Sequence, residues 1–187
     1  MIATYGALRY DVNRIVPIGI TRQDNRGSTD GSNISLAAQA GYEFRGDVLT
    51  HGPLVGLTLQ RVGIGGFTEA GNFTSLAFGR QARDSAISAL GYRVGAELGA
   101  FRPFAQIVWN HELASSDRLV TASLTTIDAP SYEMPAVQPG KDWATASMGT
   151  TAKFSSRLTG LAMVSAQAWQ AGVTTYGARA GLNYAFD

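Results

Sequence analysis

Residues 176–186 alternate. Tyr176, Ala178, Ala180, Leu182, Tyr184 and Phe186 fall on one side of an extended chain, and Gly177, Arg179, Gly181, Asn183 and Ala185 on the other. A period of two means a β-strand with two chemically different faces. The aromatic residues sit at the two ends of the apolar face, as they do where a strand meets two headgroup layers. Eight residue steps of ~3.3 Å, tilted by roughly 40°, give about 20 Å of height, close to the apolar band of an outer-membrane barrel. This strand predicts an all-β fold, a transmembrane antiparallel up-and-down β-barrel.

The alternation recurs in 34–44, where Ile34, Leu36, Ala38, Ala40, Tyr42 and Phe44 oppose Ser35, Ala37, Gln39, Gly41 and Glu43. It recurs in 85–98, where Leu90, Tyr92 and Val94 oppose Gly91, Arg93 and Glu97, and in 101–112, where Ile107 and Trp109 oppose Gln106, Asn110 and Glu112. Less regular strands are expected near 3–15, 52–65, 72–82, 118–127, 141–154 and 157–169. The expectation is about ten strands in a single domain over 1–187.

Composition narrows the classes. Fifteen Lys and Arg against fourteen Asp and Glu leave a net charge of only +1, too small to draw the chain to nucleic acid. No apolar run reaches about 18 residues, which excludes a helical membrane protein but not a barrel, where half of each strand suffices. The 22 glycines suit close packing inside a barrel, and the absence of cysteine excludes disulfides and thiolate metal sites. No metal or cofactor is expected. The first residues show no basic segment followed by an apolar one, so the chain reads as a mature product or a fragment rather than a precursor.

With the last strand descending to the periplasm, periplasmic turns are expected near 45–50, 81–84, 114–117 and 155–156. Extracellular loops are expected at 16–31, 65–72, 99–100, 128–140 and 170–174. The two longest polar or proline-rich stretches, 21–31 and 129–140, then both lie outside.

Charge on the lipid face near mid-membrane costs roughly 2–4 kcal/mol, so the polar residues of these strands are assigned to the lumen. They are Arg9, Asp11, Gln39, Glu43, Gln60, Arg93, Glu97, Gln106, Asn110, Glu112, Arg179 and Asn183. Two readings stand: a network of ion pairs and water that fills the barrel, or a polar route or berth for a polypeptide. Tyr42, Phe44, Tyr92, Trp109, Tyr176, Tyr184 and Phe186 are the expected membrane-interface aromatics. Catalysis is not expected. His51 falls in a periplasmic turn and His111 near the periplasmic end of its strand, away from any external substrate, and no nucleophile motif is present. Gly63, Gly65 and Gly66 precede no helix and so are not a phosphate loop.

The run Gly52-Pro53-Leu54-Val55-Gly56-Leu57-Thr58-Leu59-Gln60-Arg61-Val62, with Gly66-Phe67-Thr68-Glu69, resembles the translocator β-domain of autotransporters. So do Leu90-Gly91-Tyr92-Arg93-Val94-Gly95 and Arg102-Pro103-Phe104-Ala105-Gln106-Ile107-Val108-Trp109. Tyr10-Asp11-Val12-Asn13-Arg14 and Gly27-Ser28-Thr29-Asp30-Gly31 look like the lipase/esterase group, whose passenger is a Gly-Asp-Ser-Leu hydrolase. The resemblance implies a twelve-stranded barrel of type V secretion in the outer membrane, threaded by a helix and carrying an N-terminal passenger. It also implies a monomer among outer-membrane lipid, inserted by the barrel-assembly machinery, with Leu182, Tyr184 and Phe186 as the assembly signal. The chain departs from that pattern in having no passenger, no helix before its first strand and two fewer strands, and in ending one residue past the terminal aromatic. A stand-alone small barrel, an adhesin or a pore, is the alternative.

Overall fold

The alternation is realised as strands in a computed structural model. The structure describes residues 1–71, 73–114, 119–136 and 140–186, and among these there is no helix. In chain order the strands are β1 (Ile2–Ile18), β2 (Thr21–Gly41), β3 (Phe44–Arg45), β4 (Leu49–Ile64), β5 (Phe67–Thr68), β6 (Leu76–Phe78) and β7 (Gln81–Ala96). They continue as β8 (Phe101–Glu112), β9 (Leu119–Leu124), β10 (Tyr132–Pro135), β11 (Asp142–Lys153), β12 (Leu158–Gln170) and β13 (Val173–Tyr184). One sheet has the order β1-β2-β4-β7-β8-β11-β12-β13, with β3 added to β4, and a second has the order β10-β9-β6-β5. Its eight principal strands are 12 residues or longer, enough to cross an apolar band of ~25 Å.

The residues group into two compact units. The first comprises Met1–Ala37, Leu59–Ala86 and Ala114–Gln138. Its frame is the β1–β2 hairpin, paired without a slip from Ile2↔Ala37 to Ile18↔Thr21. The turn is the pair Gly19-Ile20, with Gly19 at φ 58°, the positive value that a two-residue hairpin demands at its first central position. The segment 16–31 is therefore strand and turn, not the expected loop. Polar residues on both faces hid it, because alternation is visible only where one face is apolar. The four-stranded sheet packs beside this hairpin, with Phe67 stacked on Phe78 at 4.9 Å and Leu76 and Ala122 buried. Gly27 makes room for it, since a Cβ there would lie 2.5 Å from the Phe67 ring. The expected strands at 72–82 and 118–127 are thus the short β6 and β9 of this second sheet. The expected turn at 81–84 is the start of β7, and that at 114–117 lies largely outside the described residues.

The second unit comprises Ala38–Thr58, Ile87–Leu113 and Pro139–Asp187. Its registers run across four strand pairs. Tyr92, Ile107, Ala146, Ala166 and Tyr176 form one apolar row of direct partners. The next row, Arg93, Gln106, Ser147, Ser165 and Gly177, is polar or small and faces the other way. The short connections are tied at one end of these strands. Glu97 N–H donates to the Val48 carbonyl (2.9 Å), Lys153 N–H to that of Ala100 (2.8 Å) and Ala185 N–H to that of Arg157 (2.9 Å).

Candidate functional site

The polar face of the second unit borders an open cavity of about 620 Å³. Five of the residues assigned to a lumen line it: Gln39, Glu43, Arg93, Glu97 and Gln106. Arg102, Phe104 and Thr151 complete the wall from β8 and β11. Arg93 Nε donates to Gln106 Oε1 at 3.3 Å, its direct cross-strand partner. Arg102 Nε lies 3.5 Å from Glu97 Oε1, and Arg45 Nε 3.3 Å from Glu43 Oε1. These pairs are well exposed, so each adds little to stability. What they supply is an alternation of donors and acceptors able to meet a polar chain.

Other predicted residues lie apart. Gln60 Nε2 donates to Asn33 Oδ1 (3.1 Å) in the first unit, and Asn110 Nδ2 to Thr145 Oγ1 (3.4 Å) in the second. Glu112 sits opposite Ile87 at the end of β8, its backbone N–H bonded to the Lys141 carbonyl. Arg179 follows Met163, Gly149 and Phe104 in one register row, and Asn183 pairs with Thr159; both lie on the cavity's side of β13. Arg9 and Asp11 are corrected. Thr4 Oγ1 meets Ser35 Oγ at 2.6 Å, so Tyr5, Arg9 and Asp11 share the opposite face with Ile34. The two charges stand on the face of Tyr5 and Ile34, two and four register steps beyond Ala7↔Ser32 toward the hairpin tip.

The aromatics cluster by strand end. Tyr42, Phe44, His51 and Tyr92 form a chain of ring contacts 4.9, 5.4 and 5.8 Å apart, and His51 Nδ1 lies 2.5 Å from the Tyr92 hydroxyl. Tyr184 and Phe186 pack edge to face at 4.9 Å. Trp109 lies at the other end of β8 with His111, whose Nδ1 is 2.8 Å from Asp142 Oδ1. Tyr176 is three residues into β13.

A family model described as the autotransporter β-domain matches residues 1–165. The chain belongs to the autotransporter β-domain family. It is 22% identical over 178 residues to Lipase 1 of Photorhabdus luminescens, which covers 94% of this chain and 27% of that protein. Its backbone matches the translocator domain of the autotransporter NalP from Neisseria meningitidis with a TM-score of 0.71 at 18% identity, over 98% of this chain and 58% of that one. The chain thus spans about a quarter of the curated relative's length. The β-domain is an outer-membrane translocator with the fold of a transmembrane β-barrel, as the alternation predicted, and its place is the Gram-negative outer membrane.

Membership gives the strand ends their sides. The short connections at 42–48, 97–100 and 154–157 alternate along the chain with 19–20, 65–80, 113–141 and 171–172. Long connections lie outside in such barrels, so the set that contains 65–80 and 113–141 is extracellular and the first set is periplasmic. The connection at 99–100, expected outside, moves to the periplasmic side, and His111, expected near the periplasm, ends β8 on the extracellular side. Both errors come from one source. Two expected membrane strands belong to the second sheet, which inverts every assignment between them.

Sequence reasoning missed a buried ion pair of the extracellular region. Glu69 is 4% exposed, and Arg14 grips its carboxylate through Nε (2.9 Å) and Nη2. Arg14 Nη2 also donates to the Thr74 carbonyl (2.7 Å), and Leu76 N–H to Glu69 Oε2 (3.0 Å). Beside them Asn25, wholly buried, donates through Nδ2 to Thr74 Oγ1 and accepts from Ser75 Oγ. Fifty-five residues separate Arg14 from Glu69, so no local pattern announces the pair.

The Arg14 hydrogen bond holds the Glu69 carboxyl below the ordinary carboxylate range against the opposing effect of burial, with the Leu76 N–H assisting. A depressed folded-state value means the stabilisation is complete above the unfolded-state value and is lost as pH falls through the folded one. Limited proteolysis of the 65–80 connection is therefore expected to stay slow at neutral pH and accelerate below about pH 4. In Glu69→Gln the acid step should disappear, and a step that persists in this variant would contradict the assignment.

Proposed function

We propose that residues 1–187 act as one membrane domain that supports export and anchoring of an N-terminal passenger, and that the passenger is an esterase. The observation that carries the reading is the cavity of Gln39, Glu43, Arg93, Glu97, Arg102 and Gln106 in a chain of this family. A polypeptide crossing an apolar layer must keep its amides and charges solvated. Closely spaced residues of both signs offer such a segment partners without holding it in one register. The name of the matched lipase supports an esterase as cargo, whose hydrolysis would occur in the passenger and not among these strands. Insertion by the barrel-assembly machinery through Leu182, Tyr184 and Phe186, a monomeric state and the absence of nucleic-acid partners complete the proposal.

The test reverses the cavity's cations in the full-length protein, Arg93→Glu with Arg102→Glu. Surface passenger, measured by protease accessibility on whole cells, is expected to fall roughly tenfold, the scale of losing two charge-assisted contacts. The folded barrel, followed by its heat-modifiable gel mobility, should remain. Export at the unaltered level with a folded barrel would refute the role of the cavity.

A further inference from the structure

The apolar outer face of the first unit ends at an ion pair. Ile34 and Leu36 of β2, Leu59 of β4 and Ala86 of β7 line a shallow groove of about 360 Å³, and Arg61 and Asp84 form its rim. Arg61 Nε lies 3.6 Å from Asp84 Oδ1, and both side chains keep about two thirds of their exposure, 68% and 66%. Ile34, Leu36 and Leu59 are themselves 54%, 37% and 44% exposed. Alternation sets Arg61 on the face of Leu59, opposite Gln60, which bonds Asn33 on the other side of the strands. Arg61 stands three residues before the end of β4 and Asp84 three after the start of β7, next to the extracellular 65–80 connection.

A charge on this face costs roughly 2–4 kcal/mol at mid-membrane and close to nothing at the interface, so the pair marks the extracellular headgroup level. An exposed pair of this length contributes little to folding. Its geometry suits a ligand instead. A guanidinium approached by a carboxylate at Nε alone still presents its other donors to a phosphate, and the groove below it has the composition of an acyl-chain surface.

We propose that this groove binds a phosphorylated lipid of the outer leaflet, lipopolysaccharide. An acyl chain lies along Ile34, Leu36 and Leu59, the phosphate bonds Arg61, and Asp84 orients the guanidinium and faces the cation that accompanies the headgroup phosphates. The proposal rests on the outer-membrane location and on the extracellular side of the 65–80 connection, and is independent of any passenger.

The experiment uses the full-length protein in neutral detergent with purified lipopolysaccharide as probe, followed by native mass spectrometry. Arg61→Gln is expected to weaken binding about tenfold, Arg61→Lys to restore most of it, and Leu36→Glu, which leaves both charges in place, to weaken it comparably. Arg45→Gln, at a periplasmic turn, should leave it unchanged. Dephosphorylated lipopolysaccharide should bind the unaltered protein as weakly as Arg61→Gln binds the native lipid, which carries the test even if a variant fails to fold. Equal binding of the two lipids, or equal weakening by Arg45→Gln, would overturn the site. Displacement by inorganic phosphate at matched phosphate concentration would reassign it to the free anion. A barrel that keeps its heat-modifiable form while showing no lipid preference sinks this inference and leaves the membrane assignment standing.

Discussion

Deleting residues 184–187 should abolish insertion of the protein into the outer membrane. The structure separates two explanations for such a loss. Tyr184 pairs with Leu158, and Ala185 N–H bonds the Arg157 carbonyl, so the deletion removes one cross-strand partner and one backbone bond. Phe186 is 87% exposed and meets the Tyr184 ring edge to face. Side chains this exposed contribute little to packing, and surface changes are usually worth less than about 0.5 kcal/mol. Total failure of insertion would therefore report recognition during assembly rather than weakness of the folded state. Phe186→Ala is the sharper variant, because it leaves every backbone bond in place; it should reduce the heat-modifiable folded form in outer-membrane fractions, and Phe186→Leu should retain more. An unchanged folded band in the deletion would remove the assembly role from this strand.

Glu69→Ala should free the extracellular 65–80 connection. Removing one partner of a fully buried ion pair costs about 3–5 kcal/mol, because the other charge is left without compensation. Arg14 keeps a third of its side-chain exposure, so about 2 kcal/mol is the appropriate figure here. The Leu76 N–H and the Arg14 guanidinium lose their acceptor together. A loss of that size raises local opening roughly 30-fold. It should appear as faster cleavage between β5 and β6 by an added protease, with no change in the heat-modifiable transition of the long strands. Arg14→Met should be milder, since the carboxylate can take up a proton where the guanidinium cannot lose one.

Legibility in the sequence followed the apolar face. Where one face is apolar and the other polar or small, as in 34–44, 85–98 and 176–186, period and orientation could be read directly, and the cavity residues Gln39, Arg93 and Gln106 came with them. The upper part of the β1–β2 hairpin could not be read that way. Arg22, Asp24 and Arg26 lie on one face and Gln23 and Asn25 on the other, so a paired strand looks like a solvated loop. Arg9 and Asp11 were placed inside by an argument valid only within the apolar band; nearer the hairpin tip a charge on the outer face meets water. The ion pair of Arg14 with Glu69 depends on the second sheet folding back beside β1, a contact of long sequence separation that no periodicity encodes.

The Gly19-Ile20 turn closes the hairpin on the extracellular side, with Ile20 at full exposure and open space around Gly19. Its two neighbours in the turn are fixed by pairing that begins at once with Ile18↔Thr21, so added residues would loop out without disturbing the register below. That makes the turn a position for displaying a foreign peptide: an epitope inserted between Gly19 and Ile20 would be carried on a ready-made stalk to the cell exterior, within reach of antibodies on living cells.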